Sequence, residues 1–240
     1  MLSGMDALLE RLAAEPQLAG VFLDFDGVLA AIVERPDDAY PTEETRRELE
    51  RLVGRYALVA VVSGRAGDDV ARRVGVDGVH VVGSHGLELD PAADAWRTRI
   101  DAFADAAEWP DTERKGLTVS FHYRRAEDEV AARSELEEIA ARAHEQGLVA
   151  RFGRKVLEVL PPLAANKGTA VRALLADRGL RRALVAGDDT TDLDAFRALD
   201  GLELGVRVAV AADESPPELR DAADIVVSST GELLELLRCM

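Results

Sequence analysis

The stretch Val21-Phe22-Leu23-Asp24-Phe25-Asp26-Gly27-Val28-Leu29 places two carboxylates at the end of an apolar run. Residues 21–23 have the length and composition of a buried strand, and Gly27 interrupts the run just after Asp26, which predicts a strand followed by a loop. Side chains alternate along a strand, so Asp24 and Asp26 can point to the same side while Phe25 faces the other. Two carboxylates that share one site repel each other unless a cation lies between them.

A divalent metal ion would relieve this repulsion, and we expect it to be Mg²⁺. The alternative is a turn in which an aspartate side chain closes the end of the strand, as a lone DxDG sequence can do. An EF-hand loop does not fit, because Gly27 comes too early and Arg35 stands where that loop needs a bidentate glutamate. The choice between a metal site and a turn therefore depends on the rest of the chain.

The composition limits the class of protein. The chain has 240 residues, of which 48% are hydrophobic and 31% charged, enough for one large α/β domain or for a domain with a smaller insert. A net charge of −16 argues against nucleic acid and against an anionic membrane surface as partners. A phosphate-binding site would have to be built locally, from a metal ion, a few cationic side chains and backbone N–H groups.

Cysteine content and hydropathy indicate the compartment. Cys239 is the single cysteine, so the sequence predicts no internal disulfide and no zinc motif. No apolar run approaches the roughly 18 residues of a membrane-spanning helix, and the opening segment lacks the pattern of a signal peptide. We therefore expect a cytoplasmic protein, and we expect it to be a monomer.

The spacing of apolar runs predicts an α/β fold with a Rossmann-like parallel sheet. Buried strands are expected at residues 21–23, 57–62, 79–82, 183–186 and 206–210, with helix-periodic segments between them. From about residue 89 the regular alternation of strands and helices ends. A helical stripe of Trp96, Ile100 and Phe103 follows, and then strand-like and helix-like segments up to residue 160. We therefore expect a core domain of residues 1–88 and 162–240 and an inserted α/β cap of residues 89–161, with the aromatic stripe in the core of the cap.

Polar residues follow the predicted strands at the edge where parallel sheets bind ligands. They are Asp24, Asp26 and Gly27 after the first strand, Ser63, Gly64 and Arg65 after the second, and Asp188, Asp189 and Asp192 after the fourth, with Asn166 and Lys167 opening a helix. Each group alone has an ordinary explanation as a turn, a solvated cation or a helix cap. Together they offer a carboxylate nucleophile, a metal site, a hydroxyl and a cation.

This set of groups is what phosphoryl transfer requires. Asp24 could attack phosphorus and form an aspartyl-phosphate, which divides a difficult step into two easier ones. Asp26 could protonate the leaving alcohol and later deprotonate water. Mg²⁺ would bridge Asp24, Asp188 and the phosphoryl group, and Lys167 and Ser63 would hold the remaining oxygens.

Seven blocks in this order resemble the haloacid-dehalogenase-like phosphatases and, within them, the trehalose-6-phosphate phosphatase family. The blocks are LDFDGVLA at 23–30, VVSGR at 61–65, GSHGLEL at 83–89, ERKGLTVSFHYR at 113–124, VLEVLPP at 156–162, NKG at 166–168 and GDDTTDLDAF at 187–196. The first two and the last are general to the superfamily. GSHGLEL, the ERKG to HYR stretch and VLEVLPP are more particular to the family and carry the substrate assignment.

The resemblance implies a role for each motif residue. In the core, it makes Asp24 the nucleophile, Asp26 the acid and base with its carbonyl oxygen on Mg²⁺, Ser63 and Lys167 the phosphate clamps, and Asp188 the metal ligand, with Asp189 and Asp192 in support. In the cap, it implies that Glu113, Lys115, Arg124 and Glu158 hold sugar hydroxyls, whereas the residues alone would suggest a solvated strand face. Further candidate substrate contacts are His122, Gly27, Gly64, Arg65 and Asn166.

Two positions depart from the family pattern. Val28 stands where the family usually has Thr, and Leu193 stands where it generally has Glu. The departure at Leu193 weakens the prediction of the substrate. We expect hydrolysis of trehalose 6-phosphate to trehalose and phosphate, the last step of trehalose biosynthesis. The alternatives are a phosphatase for sucrose phosphate, a hexose phosphate or a glycosyl-glycerate phosphate, a non-catalytic sugar-phosphate-binding regulator, or a phosphoacceptor signalling domain, although such domains are shorter and have no cap.

Overall fold

The structure, a computed structural model, describes residues 4–153, 155–211 and 216–240. Its strands are β1 Ala19–Leu23, β2 Leu58–Val62, β3 His80–Val82, β4 Thr112–Arg114, β5 Val119–His122, β6 Val149–Gly153, β7 Val156–Leu160, β8 Arg182–Gly187, β9 Leu204–Val210 and β10 Ile225–Val227. Its helices are α1 Gly4–Ala13, α2 Glu43–Val53, α3 Gly67–Val74, α4 Arg97–Ala107, α5 Glu129–Glu145, α6 Lys167–Asp177, α7 Asp192–Arg197, α8 Pro217–Ala222 and α9 Thr230–Arg238. Within these ranges, none of the helices combines the length and the apolar character needed to cross a membrane.

The chain divides into two compact units. One is formed by Met1–Gly86 together with Ala165–Met240, and the other by Leu87–Ala164. The first unit contains a six-stranded parallel sheet in the order β10-β9-β8-β1-β2-β3. This architecture confirms the parallel-sheet α/β fold that the apolar runs predict.

Strand β1 lies in the middle of the parallel sheet, between β2 and β8. All five of its residues are buried, and Phe22 pairs with Ala60 on one side and Val185 on the other. Helices cover both faces of the sheet, because one apolar cluster includes Leu12 of α1 and Leu49 of α2, while a second cluster includes residues of α6, α7 and α8. A strand buried on both faces explains the continuous apolar run before Asp24.

The second unit contains an antiparallel sheet in the order β4-β5-β7-β6. One face packs with α4 and α5 in a separate apolar cluster, in which the rings of Phe103 and Phe121 meet edge to face at 6.3 Å. Ile100 and Phe103 are buried and Trp96 packs against this cluster. The aromatic stripe therefore forms part of the core of the insert, as its helical spacing predicts.

Two short strands escape prediction from the sequence. Strand β4, Thr112–Arg114, contains no apolar residue, and the apolar run of β10, Ile225–Val227, is only three residues long. β10 extends the parallel sheet beyond β9, and β4 extends the antiparallel sheet beyond β5. Both are defined by pairing with a neighbour rather than by their own sequence.

Candidate active site

The parallel sheet brings the polar residues of three strands to one edge. Asp24 follows β1, Ser63 follows β2 and Asp188 follows β8, and these three strands are adjacent. The backbone N–H of Asp24 donates to the carbonyl of Ala186 at 3.0 Å, which extends the pairing of β1 and β8 by one residue. Ligands of open parallel sheets bind beyond this edge.

Lys167 lies between two buried carboxylates. Its Nζ donates to Asp24 Oδ2 at 2.7 Å and to Asp192 Oδ1 at 2.8 Å. The lysine is 3% exposed and Asp192 1%, so these ion pairs are shielded from water. Burial by itself disfavours the charge of Lys167, but the carboxylates of Asp192 and Asp24 outweigh that effect and raise its pKa. Lys167 is therefore a permanent cation beside Asp24.

Asp192 also shapes the loop that carries the other acidic residues. Its Oδ2 accepts hydrogen bonds from the backbone N–H groups of Asp188 and Asp189, both at 3.1 Å. The carboxylate lies so close to Gly187 that a side chain at that position would collide with it. One buried aspartate thus orients Lys167 with one oxygen and the loop after β8 with the other.

Asp24 and Asp188 are harder to ionise than ordinary aspartates. Burial raises the pKa of Asp24 to about 7, with the charge of Asp192 adding to the shift and Lys167 opposing it. Burial likewise raises the pKa of Asp188 to about 8, and the charges of Asp24 and Asp192 add to it. A single lysine does not neutralise three neighbouring carboxylates, and an additional cation would lower both pKa values.

The same three residues form a candidate metal site. Oxygen atoms of Asp24, Asp188 and Asp192 lie within 4.8 Å of one another. The donors are all carboxylate oxygens, which suit a hard divalent cation such as Mg²⁺. Gly27 approaches the site with a φ of 73°, and a side chain there would collide with the Asp188 carboxylate. The donor chemistry and the raised pKa values of Asp24 and Asp188 both fit a bound metal.

Asp26 has a different partner from Asp24. Arg65 binds its carboxylate with two hydrogen bonds, from Nε to Oδ2 and from Nη2 to Oδ1, both at 2.7 Å. The same guanidinium donates to the carbonyl of Pro36 at 2.9 Å and lies over the ring of Phe25. The carboxylates that form an acidic cluster with Asp24 are thus those of Asp188 and Asp192, and the expectation that Asp24 and Asp26 share one site is wrong. The side chain of Asp26 is held by Arg65, while Asp189 accepts hydrogen bonds from its neighbour Thr190.

The loops after β2 and β3 are joined at Ser63. Ser63 is buried, its Oγ accepts from the N–H of Arg65 at 3.2 Å, and its carbonyl accepts from the N–H of His85 at 2.8 Å. His85 adopts a left-handed backbone conformation and its ring fills the space beside Gly64, where a side chain would collide. The GSHG sequence therefore supports the Ser63 loop, a role that the sequence alone does not assign to His85.

Asn166 begins the helix that presents Lys167. Its side-chain oxygen accepts from the N–H of Thr169 at 2.8 Å, and Thr169 Oγ1 accepts from the N–H of Asn166 at 2.9 Å. This reciprocal capping box fixes the first turn of α6. The carbonyl end of the Asn166 side chain is thereby committed to the helix rather than to a ligand.

A second group of charged residues lies on the antiparallel sheet of the insert. Glu113 on β4 pairs with Ser120 on β5, Ser120 pairs with Glu158 on β7, and Glu158 pairs with Arg151 on β6. Residues opposite one another in an antiparallel sheet share a face, so these four form one row. Val119, Phe121, Leu157 and Val159 alternate with this row and face the apolar cluster.

We call Glu113, Lys115, His122 and Glu158 the charged patch. Lys115 Nζ lies 3.7 Å from Glu113 Oε2 and 3.5 Å from Glu158 Oε1, and His122 Nε2 lies 2.9 Å from Glu113 Oε2. Arg124 lies exposed in the turn that follows β5. The register of three strands, which a single sequence does not reveal, brings together residues that are up to 45 positions apart.

Comparison with solved structures defines the class of fold. The chain superposes with a TM-score of 0.74 on a trehalose-6-phosphate phosphatase related protein, at 25% identity, covering 91% of this chain and 95% of that one. It also matches a haloacid dehalogenase-like hydrolase from Bacteroides thetaiotaomicron with a TM-score of 0.67 at 14% identity, covering 92% and 99% of the two chains. The fold is that of the haloacid-dehalogenase-like hydrolases.

Sequence comparison identifies the family. The trehalose-phosphatase family model matches residues 22–112 and 110–226, so the chain belongs to the trehalose-phosphatase family. It is 37% identical over 212 residues to a protein named an uncharacterized glycosyl hydrolase from Mycobacterium tuberculosis, covering 78% of this chain and 16% of that one. It is 35% identical over 226 residues to a trehalose-phosphate phosphatase from Mycobacterium avium, covering 84% of this chain and 55% of that one. The chain thus spans about half, or less, of the length of these two relatives.

Proposed function

We propose that the chain hydrolyses trehalose 6-phosphate to trehalose and inorganic phosphate, in a reaction that requires Mg²⁺ and proceeds through a phosphoryl group on Asp24. The observation that carries this proposal is the buried carboxylate of Asp24, bound by Lys167 at 2.7 Å and placed within the acidic cluster of Asp188 and Asp192. Membership of the trehalose-phosphatase family supports the choice of substrate.

In the first step, an oxygen of Asp24 forms a bond to phosphorus while the bond from phosphorus to the sugar oxygen breaks. Lys167 supports the attack, because its charge reduces the repulsion between the carboxylate and the phosphate dianion. Asp26 donates a proton to the departing sugar oxygen, which leaves as an alcohol. Ser63 offers its hydroxyl to a phosphoryl oxygen.

In the second step, water attacks the phosphorus of the aspartyl-phosphate, Asp26 accepts a proton from that water, and the bond between phosphorus and the Asp24 oxygen breaks. Arg65 holds Asp26 through two hydrogen bonds of 2.7 Å, and Asp26 gives up one of them when it carries the proton that it transfers. Asp24 is then free for another cycle, and inorganic phosphate is the second product.

Asp24, Asp188 and the carbonyl oxygen of Asp26 would hold Mg²⁺, with Asp189 and Asp192 in support. Bound there, the ion would supply positive charge to the phosphoryl oxygens and relieve the repulsion among the carboxylates. The raised pKa values of Asp24 and Asp188 support this assignment, because they indicate a site with an excess of buried negative charge.

We propose that residues 1–88 and 162–240 perform this chemistry, whereas the inserted cap of residues 89–161 recognises the sugar as a lid. The charged patch supports this role, because carboxylates and a lysine together offer acceptors and donors for paired hydroxyl groups. Arg124, Gly27 and Gly64 complete the proposed substrate contacts. The carbohydrate is uncharged apart from its phosphate, so specificity has to come from such hydrogen bonds.

The apolar residue Leu193 is a reason to test related substrates. It packs against the apolar cluster of α6 and α7 at a position where a polar residue would be expected from the family pattern. The experiment is phosphate release from a panel of trehalose, sucrose, hexose and glycosyl-glycerate phosphates, with Mg²⁺ and with a chelator. Trehalose 6-phosphate should have the highest kcat/KM, and the chelator should abolish release. A higher kcat/KM for another sugar phosphate would overturn the assignment of trehalose 6-phosphate as the substrate. Activity in the presence of chelator would overturn the metal requirement.

A further inference from the structure

Asp69 on α3 lies between two arginines that are largely shielded from water. Its Oδ2 accepts a hydrogen bond from Arg73 Nε at 2.7 Å and lies 3.6 Å from Arg65 Nη1. The side chains of Arg65 and Arg73 are 10% and 8% exposed, and that of Asp69 is 25% exposed. One carboxylate oxygen therefore offsets part of the positive charge of both guanidinium groups, which burial would otherwise disfavour.

The spacing of these three residues explains the contacts. They occur at intervals of four, with Arg65 just before α3, Asp69 in its first turn and Arg73 in its last turn. Side chains four residues apart on a helix lie next to each other along one side. The segment 65–73 thus connects the loop after β2 to the far end of α3 through one row of charged side chains.

Asp69 carries its negative charge at neutral pH. Burial by itself would raise the pKa of Asp69, but Arg73 outweighs this effect through its hydrogen bond and its charge. The charges of Arg65 and Arg72 act in the same direction, so the pKa of Asp69 is lowered. Its other oxygen, Oδ1, accepts from Arg72 Nη2 at 2.9 Å, but Arg72 is 68% exposed and such a pair contributes little. The contacts of Oδ2 with the two shielded arginines are therefore the ones that define the position of Asp69.

Arg73 gives this row a fixed end. Its Nη1 donates to the carbonyl oxygens of Asp37 at 2.8 Å and of Ala39 at 3.1 Å. Its guanidinium also lies over the ring of Tyr40, at 4.9 Å from the centre of the ring. These contacts leave Arg73 little freedom, so Asp69 is anchored by a side chain that is itself held in place.

Arg65 forms the other end of the row, at Asp26. Its Nε and Nη2 bind the Asp26 carboxylate at 2.7 Å, and Nη2 also donates to the carbonyl of Pro36 at 2.9 Å. The side chain of Asp26 is 43% exposed, so its position depends on Arg65 rather than on close packing. Asp26 gives up one of these hydrogen bonds when it carries a proton, and during that time the contacts with Pro36 and Asp69 have to keep the guanidinium in place.

We propose that Asp69 is a positioning residue, which holds the guanidinium of Arg65 in place while Asp26 gives up and re-forms one of its hydrogen bonds to it. Asp69 acts through Arg65 and takes no part itself in bond making or proton transfer. The inference rests on the proposed function, because it assumes that Asp26 carries protons in the reaction. The ordinary explanation for Asp69 is that a carboxylate in the first turn interacts favourably with the helix dipole, and Asp68 in the same turn would serve equally well.

The kinetics of Asp69→Asn test this role. The change keeps the shape of the side chain and removes its charge, so kcat should fall by about tenfold with little change in KM. The fall should be the same for trehalose 6-phosphate and for phenyl phosphate, which carries no sugar. Asp68→Asn is the matched control, because Asp68 is 82% exposed and pairs with Arg72, and it should retain the kcat of the wild type. An unchanged kcat in Asp69→Asn, a loss confined to KM, or an equal loss in Asp68→Asn would overturn the proposal.

A double variant tests whether Asp69 acts through Arg65. Two changes that disturb the same contact do not add, so Asp69→Asn should lower kcat by no more than about twofold when it is made in the Arg65→Lys variant. The full loss of about tenfold in that background would show that Asp69 affects catalysis by another route, and it would contradict the proposal. If Asp69→Asn does not fold, Asp69→Ser, which also removes the charge, decides in its place with Asp68→Ser as its control. Retention of the wild-type kcat in Asp69→Ser would likewise contradict the proposal.

Failure of the proposed function and failure of this inference give different results. Wild-type protein that releases phosphate from neither substrate, or an Asp26→Asn variant with full activity, would overturn the proposed function and the role of Asp69 with it. An active protein that depends on Asp26 and Arg65 but is indifferent to Asp69→Asn would leave the proposed function in place and overturn only the role of Asp69. Hydrolysis of phenyl phosphate without hydrolysis of trehalose 6-phosphate would overturn the substrate alone, and Asp69 would then be tested with phenyl phosphate.

Discussion

The acidic cluster of the parallel-sheet unit and the charged patch of the insert differ in how deeply their charges are buried. The side chains of Lys167 and Asp192 are 3% and 2% exposed, and the contacts of Lys167 measure 2.7 and 2.8 Å. Lys115 and Glu113 of the patch are 16% and 37% exposed, and the contacts of Lys115 measure 3.5 and 3.7 Å. The first group has little water to compete with, whereas the second remains partly hydrated.

This difference suits the two tasks we propose. Charges in a shielded site act strongly on a reacting phosphate and need little reorganisation. The ion pairs of Lys115 in the partly hydrated patch are long, and Lys115 can exchange them for contacts with sugar hydroxyls. Variants of the acidic cluster should therefore impair every phosphate substrate, and variants of the patch should impair the sugar substrate alone.

The largest effect is expected from Asp24→Asn. Without a carboxylate nucleophile, phosphate release from trehalose 6-phosphate should fall by at least about 10⁴-fold, as measured by a phosphate assay under saturating Mg²⁺. Asp68→Asn on α3, where the side chain is 82% exposed, is the control and should retain full activity. Undiminished turnover in Asp24→Asn would show that another group attacks phosphorus.

Replacement of the buried Lys167 tests whether the ion pairs of the two regions differ in their contribution to the free energy of unfolding. Lys167→Ala leaves Asp24 and Asp192 without their shared cation, and urea unfolding in the absence of metal should show a loss of about 3–5 kcal/mol. Lys115→Ala, the matched change in the patch, should cost at most about 1 kcal/mol, because its ion pairs are long and partly hydrated. Similar losses of unfolding free energy in the two variants would contradict the claim that the ion pairs of the acidic cluster are the stronger ones.

Arg65→Lys tests the positioning of Asp26. A lysine cannot reproduce the two parallel hydrogen bonds of 2.7 Å, so kcat should fall by about 10²-fold with both trehalose 6-phosphate and phenyl phosphate, with little change in KM. Arg72→Lys, at an exposed position on helix α3, serves as the control. A change confined to KM would mean that Arg65 binds substrate rather than orienting Asp26.

Metal affinity should depend on pH. The pKa values of Asp24 and Asp188, about 7 and about 8, lie above the ordinary value of 3.8, so below these values a metal ion must displace protons from the site. The same shift means that the metal-free folded state binds more protons than the unfolded state from about pH 4 to pH 8, and that its stability falls as the pH rises through this range.

Calorimetric titration with Mg²⁺ should therefore show affinity that rises between pH 6 and pH 8, by up to about tenfold per pH unit for each proton displaced. Asp188→Asn should remove much of this dependence, whereas Asp189→Asn should retain more of it because Asp189 lies outside the close group of three carboxylates. Affinity that is constant over this range would mean that Asp24 and Asp188 are already ionised without metal.

Most of the candidate site in the parallel-sheet unit could be predicted from the sequence, because its residues either follow apolar runs that end at the same edge of the sheet or, like Lys167, open a helix. Asp24, Ser63, Lys167 and Asp188 are recognisable in this way. The pairing of Arg65 with Asp26, the two-sided role of Asp192 and the support of Gly64 by His85 were not predictable, since they depend on how separate loops approach one another.

The division between the two regions is tested most directly by one ratio, kcat/KM for trehalose 6-phosphate divided by kcat/KM for phenyl phosphate. Lys167→Met should lower both values together and leave the ratio near that of the wild type. Glu158→Gln, which keeps the shape of a patch side chain but removes its charge, should lower the ratio by about tenfold. An unchanged ratio in Glu158→Gln would contradict the assignment of sugar recognition to the charged patch.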